Sequence, residues 1–266
     1  MFERGRVKVM GIVNVTPDSF SGDGLTDHHM AIERGLRMAE AGADIVDVGG
    51  ESTRPGHTPV PAAEEIRRAI PVVEALAAAG LVVSIDTSKL EVARAAADAG
   101  ATIVNDVWGL RRSPGIARLA AERGLGLVLM HNQVGNRYPG DLVQAIVEGL
   151  SASIAEARRA GVPPDRIAID PGIGFGKDAG QNLVVLRRLG ELRRLGHPLL
   201  VGASRKGFLG RLFGQEMPRR IWGTAAVVAV SILRGADIVR VHDVEEMVAV
   251  ARVAEALRAE REEEPR

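Results

Sequence analysis

Short apolar runs alternate with longer segments of helical periodicity along the whole chain. In the longer segments apolar residues recur every three or four positions, as Ile66, Ile70, Val73 and Leu76 mostly do, and this spacing predicts amphipathic helices. The short runs predict buried strands. They span Val7–Val13, Asp44–Val48, Val82–Ile85, Thr102–Val104, Leu127–Met130, Ile167–Ile169, Leu199–Val201 and Ile238–Val241.

Glycines stand a few residues before most of these runs, where a helix is expected to end in a left-handed residue. They are Gly42, Gly80, Gly100, Gly124, Gly161, Gly196 and Gly235. Eight apolar strands, each with a helix, in about 250 residues are typical of an α/β protein with a (β/α)8 TIM barrel. We expect a single domain over residues 1–266. An open doubly wound sheet is the alternative, because strand number alone does not show closure.

Composition narrows the class of protein. The 34 basic and 34 acidic residues cancel, so no overall field favours nucleic acid or a membrane surface as partner. The chain has no cysteine, which excludes disulfides and thiolate metal sites. The longest apolar stretch, Thr224–Leu233, is shorter than the about 20 residues that a bilayer span needs, and it predicts a buried helix. The first residues do not resemble a signal peptide, so we expect a cytoplasmic protein.

Polar side chains stand at the end of every predicted strand. A barrel brings all these ends to one rim, where active sites lie, so we expect residues from the whole chain to converge there. Taken singly, Asn14, Asp86 or Asn105 is equally well a turn or helix-capping residue. The residues are Asn14, Asp47, Asp86, Asn105, His131, Asp170, Ser204 with Lys206, and Arg240 with His242.

Three groups of residues suggest chemistry. The segment Asp170–Lys177 combines an acid with several glycines, but its spacing fits neither common phosphate-binding glycine motif. Carboxylates crowded with Asn105 are costly unless paired, which favours a ligand rich in N–H donors or a nearby cation, of which Lys206 is the obvious choice. Arg240 and His242 share a strand face and suit an anion, unless they pair with Asp243.

Asn14 beside such an anion site favours a hard, oxygen-preferring ion, Mg²⁺, shared with substrate phosphates. Two long polar loops, Asn14–Phe20 and Gly49–Gly56, lie where a barrel carries its lids. Arg54 in the second loop is suited to bring a planar cation to a carboxylate or phosphate.

Taken together these segments resemble the dihydropteroate synthase family over nearly the whole chain. The resemblance implies a barrel enzyme, a homodimeric transferase of folate biosynthesis that uses Mg²⁺. Such enzymes join 6-hydroxymethyl-7,8-dihydropterin pyrophosphate to para-aminobenzoate, release pyrophosphate, and are the target of sulfonamides. The matching segments, in order, are Met10–Phe20, Asp47–Gly56, Asp170–Lys177, Gly202–Lys206 and Arg240–Asp243.

The resemblance also implies residue roles. The catalytic set is Asp86, Asp170, Lys206 and Arg54. The pterin is held by Asp86, Asn105, Asp170, Lys206 and Met130, and the aminobenzoate is bordered by Thr53, Phe175, Ser204 and Lys206. The pyrophosphate is contacted by Asn14, Arg240 and His242, with Asn14 also at the metal. Two segments depart from the family pattern, Ser21–Gly24 and Asn132–Asn136. Lys177 receives no role.

Two other functions fit part of the pattern. A pterin-binding methyltransferase-type barrel shares the fold and the acidic pocket but does not need the Ser52–Gly56 motif. A non-catalytic pterin-binding homologue keeps the pocket and loses the loop residues. The unusually apolar segment Met217–Leu233 predicts either a homodimer interface or tight intramolecular packing.

Overall fold

The computed structural model describes residues 1–2, 5–16, 24–52, 59–213 and 220–263. The eight predicted strands are confirmed, and their bounds differ from the predicted ones by at most two residues. The strands are β1 Lys8–Asn14, β2 Ile45–Gly49, β3 Val83–Asp86, β4 Ile103–Asp106, β5 Gly126–Met130, β6 Ile167–Asp170, β7 Leu200–Val201 and β8 Ile238–Val241.

Helices separate the strands, and the seven glycines that the sequence marked as helix stops all have positive φ, between 64° and 101°. Two helices begin after an aspartate that caps them. The side chains of Asp141 and Asp178 accept hydrogen bonds from the backbone N–H groups of Gln144 and Gln181, respectively. The helices are α1 Gly24–Glu40, α2 Ala62–Ala78, α3 Leu90–Asp98, α4 Gly115–Arg123, α5 Leu142–Arg159, α6 Ala179–Arg187, α7 Gly207–Phe213, α8 Arg220–Leu233 and α9 Val244–Glu263.

The strands form a nearly closed parallel barrel. Their order is β6-β5-β4-β3-β2-β1-β8-β7, and a parallel bridge between Ile169 and Leu199 joins the two remaining edges. An open doubly wound sheet is therefore excluded. The seam, where β6 and β7 meet, is short because β7 has two residues, Leu200 and Val201.

Alternation along the strands divides the buried residues into two separate clusters. Outward residues such as Val48, Ile85 and Val104 pack against the helices in one cluster. Inward strand residues of the lower barrel form the other together with Phe2, which precedes β1. The strand residues are Met10, Ile45, Ile103, Val128, Ala168, Leu200 and Ile238. Side chains two positions further along a strand point the same way, so the polar residues Asp47, Asn105, Asp170 and Arg240 face the barrel interior above this apolar plug.

Helix α8 is buried on one face rather than all round, which corrects the expectation for Thr224–Leu233. Thr224, Val228 and Ile232 are buried, whereas Val230 is 43% exposed and Trp222 in the preceding turn is 72% exposed. None of the helices within the described residues is long and apolar enough to cross a membrane.

Candidate active site

Arg240 connects the polar side chains of the upper barrel. Its Nε donates to Oδ2 of Asp47 at 2.6 Å and an Nη atom donates to Oδ2 of Asp86 at 2.7 Å. Burial alone would lower the pKa of Arg240, but the charges of Asp47 and Asp86 outweigh it and raise that pKa. The three groups thus compensate one another in a place where an unpaired charge is costly.

This network refines one expectation from the sequence and corrects one alternative. Arg240 is bound directly to the inward carboxylates of β2 and β3, whereas the charge of Lys206, the expected cation, opposes the rise in the pKa values of Asp86 and Asp170. The alternative partner of Arg240, Asp243, is bound instead by Arg205, whose Nε donates to it at 3.0 Å.

Asp47 lies at the centre of this network, a role that the sequence did not reveal. It is fully buried, and its Oδ2 also accepts from Nδ2 of Asn105 at 3.0 Å. Because Asn105 commits its amide nitrogen to Asp47, its amide oxygen is the atom suited to accept from a ligand. The usable signal was strand parity, since Asp47 lies two positions after the inward-facing Ile45.

Burial raises the pKa values of both acidic residues at the barrel mouth. Burial is the main cause for Asp86, opposed by Arg240 and reinforced by Asp47. For Asp170 burial raises the pKa to about 6, opposed chiefly by the N–H of Gly172, which donates to Oδ1 at 2.7 Å, and by Lys206. Oδ1 of Asp86 and Oδ1 of Asp47 have no hydrogen-bond partner among the described residues.

A glycine separates Asp170 from Arg240 on the opposite side of the barrel seam. A Cβ atom at Gly202 would lie 3.7 Å from Cβ of Arg240 and 4.0 Å from Oδ2 of Asp170. The side chains of β6 and β8 therefore face a common space across the short strand β7.

Lys206 and Phe175 form a second contact at the mouth. Nζ of Lys206 lies 4.0 Å from the centroid of the Phe175 ring, within cation–π range. Gly174 allows this approach, because a Cβ atom there would lie 2.9 Å from Cδ of Lys206. The predicted aminobenzoate residue Phe175 and the predicted pterin residue Lys206 are thus in contact.

His242 and Ser204 are joined at the end of β8. The Ser204 hydroxyl accepts from the backbone N–H of His242 at 3.1 Å and lies 3.0 Å from its Nδ1. Burial and the charge of Arg240 lower the pKa of His242 to about 3. At neutral pH His242 is therefore a neutral hydrogen-bonding group rather than a second cation.

Asn14 reaches the same rim from β1. A Cβ atom at Gly49 would lie 3.8 Å from Oδ1 of Asn14 and 3.5 Å from Cβ of Asp86, so Asn14 stands close to the acidic side chains. Met130 is buried at the end of β5 and pairs in register with Asp170. Thr53 and Arg54, predicted at the aminobenzoate and as a catalytic cation, lie outside the described residues, as does the predicted departure at 21–23.

A cavity of about 630 Å³ is lined by Asp86 and Phe175 and extends outward to Trp108. The loop after β5, whose contacts the sequence left open, forms one wall through Asn132–Asn136. This loop is fastened to the loop after β6, since the Tyr138 hydroxyl donates to the carbonyl oxygen of Gly176 at 2.8 Å.

Comparisons with known proteins agree with this geometry. Residues 10–242 match the family of pterin-binding enzymes, and a dihydropteroate synthase from Synechocystis sp. is 47% identical over 97% of this chain and 92% of its own length. The chain belongs to the dihydropteroate synthase family. It is accordingly a transferase of folate biosynthesis, with a pterin site and an aminobenzoate site.

Solved structures are similar over the whole barrel. A dihydropteroate synthase from Clostridium difficile, determined with pteroic acid, superposes with a TM-score of 0.93 at 46% identity, over 97% of this chain and 99% of that chain. The enzyme of Xanthomonas albilineans with 4-aminobenzoic acid gives 0.90 at 46% identity, over 96% and 94%. These relatives support the dihydropteroate synthase function over the methyltransferase-type and non-catalytic alternatives.

Proposed function

We propose that the polar mouth of this barrel condenses 6-hydroxymethyl-7,8-dihydropterin pyrophosphate with para-aminobenzoate to give 7,8-dihydropteroate and pyrophosphate. The observation that carries the proposal is the inward-facing layer of Asp47, Asn105, Asp170 and Arg240, with Asp86 beside it. Such a layer offers acceptor oxygens and one balanced cation beside Asp86, and Asp86 lines a cavity of about 630 Å³, which is large enough for a small molecule.

The pterin forms hydrogen bonds with this layer of inward-facing side chains. A dihydropterin presents amino and ring N–H donors, and an ionised carboxylate is an acceptor only, so Asp170 and Asp86 suit that edge. The unpartnered Oδ1 of Asp86 among the described contacts supports this role, as does the orientation of Asn105. Lys206 donates to an acceptor atom of the ring, and Met130 supplies an apolar wall.

The leaving group lies toward β1 and β8, where Asn14, Arg240 and His242 contact the pyrophosphate. No three His, Cys, Asp or Glu side chains in the described chain are placed to hold a metal by themselves. Mg²⁺ characteristically uses one or two protein oxygens together with substrate phosphates, and the amide oxygen of Asn14 beside Asp86 fits that mode. Bound Mg²⁺ would help neutralise charge on the departing pyrophosphate.

The chemistry is a substitution at the methylene carbon. Its bond to the pyrophosphate oxygen breaks, the electron pair leaves with pyrophosphate, and the pterin ring delocalises the positive charge. The aminobenzoate nitrogen then bonds to the carbon and loses a proton to solvent. Asp86 and Asp170 stabilise the cationic carbon electrostatically, and Lys206 and Arg54 orient the two substrates.

The aminobenzoate binds nearer the solvent, against Phe175, Ser204 and Lys206, with Thr53 from the second loop. The contact between Nζ of Lys206 and the Phe175 ring supports an aromatic and cationic border for a small aromatic acid. Sulfonamides compete at this position because they share that shape and charge. Competitive inhibition against para-aminobenzoate tests this part.

Assembly and location complete the proposal: a single-domain cytoplasmic homodimer, paired through α8 and α9. Trp222, Val253 and Leu257 are 72%, 64% and 48% exposed, and large apolar side chains on adjacent helices favour burial against a second copy. Sedimentation velocity should find a dimer for the wild type and a monomer for Trp222→Asp. A monomeric wild type would contradict this assembly.

Purified enzyme with Mg²⁺ tests the reaction. Pyrophosphate release should require both the pterin pyrophosphate and para-aminobenzoate, and mass spectrometry should detect one dihydropteroate for each pyrophosphate. Omission of either substrate is the control. If no combination of substrates releases pyrophosphate, the proposed function is wrong.

A further inference from the structure

Lys177 ends the glycine-rich segment after β6 and takes no part in the reaction proposed above, yet its side chain is buried. Nζ donates to the carbonyl oxygens of Gly172 at 3.1 Å and Phe175 at 3.0 Å, and lies 3.3 Å from Nδ1 of His131. All three partners are uncharged, since burial lowers the pKa of His131 to about 3. Burying an ammonium among neutral groups is costly.

The segment folds around this ammonium. The backbone N–H of Phe175 donates to the carbonyl oxygen of Gly172 at 3.1 Å, which closes a turn, and Nζ of Lys177 binds the carbonyls at both ends of that turn. Gly172 and Gly174 have φ of 70° and 83°, values that side-chain-bearing residues rarely adopt. Lys177 thus binds this glycine turn from the inside.

We propose that Lys177 is a positioning residue for the aminobenzoate. By holding the carbonyl oxygen of Phe175, it fixes the Phe175 ring against Nζ of Lys206 and so preforms the border on which the aromatic acid binds. This inference rests on the proposed function and deepens it.

The effect should fall on the aminobenzoate rather than on the pterin. The backbone of Asp170, which reads the pterin, is held by the strand ladder, because Asp170 pairs with Met130 and its carbonyl accepts from His131 at 2.9 Å. The turn contacts the Asp170 carboxylate through the N–H of Gly172. Phe175 belongs to the turn itself, whose backbone depends on Lys177. Loss of the ammonium therefore disturbs Phe175 more than Asp170.

The protonation state of Lys177 provides a second, independent test. Burial lowers the pKa of Lys177 to about 7, opposed by Asp170 and reinforced by Lys206 and Arg111. The rings of His131 and Tyr138 face Lys177 and have pKa values of about 3 and about 12. Both rings are therefore neutral near pH 7 and do not titrate there. Above that pH the ammonium becomes a neutral amine with two donors, so its hydrogen bonds to the two carbonyl oxygens lose the charge that strengthens them.

Steady-state kinetics of Lys177→Met, Lys177→Arg and the control Tyr138→Phe test the proposal. Lys177→Met should raise KM for para-aminobenzoate about tenfold, the equivalent of one hydrogen bond to a charged group, while Kd for the pterin pyrophosphate changes less than about twofold. Tyr138→Phe removes a neighbouring tie, to Gly176, and should leave that KM nearly unchanged. Lys177→Arg should restore most of the wild-type value.

The pH profile separates positioning from plain stability. KM for para-aminobenzoate should rise in the wild type above about pH 7 and stay flat in Lys177→Arg, whose guanidinium remains charged. Equal rises in both, or equal changes of KM and pterin Kd in Lys177→Met, would overturn the role of Lys177. If Lys177→Met does not fold, as its melting curve would show, the comparison of wild type with Lys177→Arg decides alone. An inactive wild type would overturn the proposed function, and this inference with it.

Discussion

Arg240 donates to Asp47 across 193 positions of the sequence, with 2.6 Å between Nε and Oδ2. The pair joins the last strand of the barrel to the second, and the same guanidinium reaches Asp86 on the third. A group assigned to the pyrophosphate is therefore also a structural tie of the barrel. Binding and folding depend on one side chain.

Replacement of Arg240 should accordingly damage both properties. Arg240→Met leaves two buried carboxylates without their cation, and breaking such pairs costs about 3–5 kcal/mol of unfolding free energy. Urea denaturation measures the loss, and turnover should fall as well. The double variant Arg240→Met with Asp47→Asn should recover part of the stability, because it removes one stranded charge. If the double variant is less stable than Arg240→Met, the tie has been misunderstood.

Asp170→Asn should weaken pterin binding. An amide can turn a donor toward the ring N–H edge, and it lacks the charge that strengthens the hydrogen bonds, so we expect a loss of about 1.5–3 kcal/mol. Isothermal titration with a pterin measures the change. Asp165→Asn is the matched control, because the Asp165 carboxylate is exposed and lies 3.9 Å from the amino group of Met1. Unchanged affinity in Asp170→Asn would refute the proposed role.

Pterin affinity should depend on pH through the same carboxyl group. The pKa of Asp170 is raised to about 6 by burial, so the carboxyl group is half protonated near that pH and mostly protonated one unit below it, which removes an acceptor that the ligand needs. Affinity should therefore fall as the pH drops from about 7 to about 5, following the linkage of protons to binding. A pterin without diphosphate avoids titration of the ligand. The same slope in Asp170→Asn would assign the titration to another group.

The folding stability contributed by Asp170 has the opposite sign. A carboxyl group whose folded pKa is raised favours the folded state below its unfolded pKa, near 4, and loses that contribution as the pH rises through about 6. The conditions that favour ligand binding are thus those in which this residue destabilises the empty enzyme, a common feature of active sites.

His242→Ala should affect the leaving group selectively. Turnover of the pyrophosphate substrate should fall about tenfold or more, the scale of one lost hydrogen bond to a charged group, while a pterin lacking diphosphate should bind as before. Because burial lowers the pKa of His242 to about 3, ionic strength should alter its contribution little. Parallel losses for both ligands would contradict this assignment.

The sequence predicted the barrel well because its signals are local. Apolar runs mark strands wherever both faces are covered, and the glycines of the helix stops report a backbone conformation that other residues rarely adopt. Inward polar positions such as Asp170 and Arg240 follow from strand parity. Each of these features needs only a few neighbouring residues to be recognised.

Partners across the barrel were beyond the reach of the sequence. Parity indicates which way Asp47 points, but not that Arg240 and Asn105 both bind its Oδ2, since that depends on the stagger of the closed sheet. Lys206 was expected near the carboxylates as the obvious cation, and no local pattern showed that Arg240 binds two of them directly. Lys177 looked idle because its partners include backbone carbonyls, which no residue pattern records.

Because the seam between β6 and β7 is short, a bound ligand should help to hold the two sides of the barrel together. One bridge, from Ile169 to Leu199, joins the two edges. Asp170 ends β6 and Ser204 follows β7, and these two residues are proposed to bind the pterin and the aminobenzoate. A substrate held by both sides supplies cohesion that the backbone ladder lacks there. In the empty barrel, local opening should occur first at this seam. A bound ligand should suppress that opening in proportion to its binding free energy.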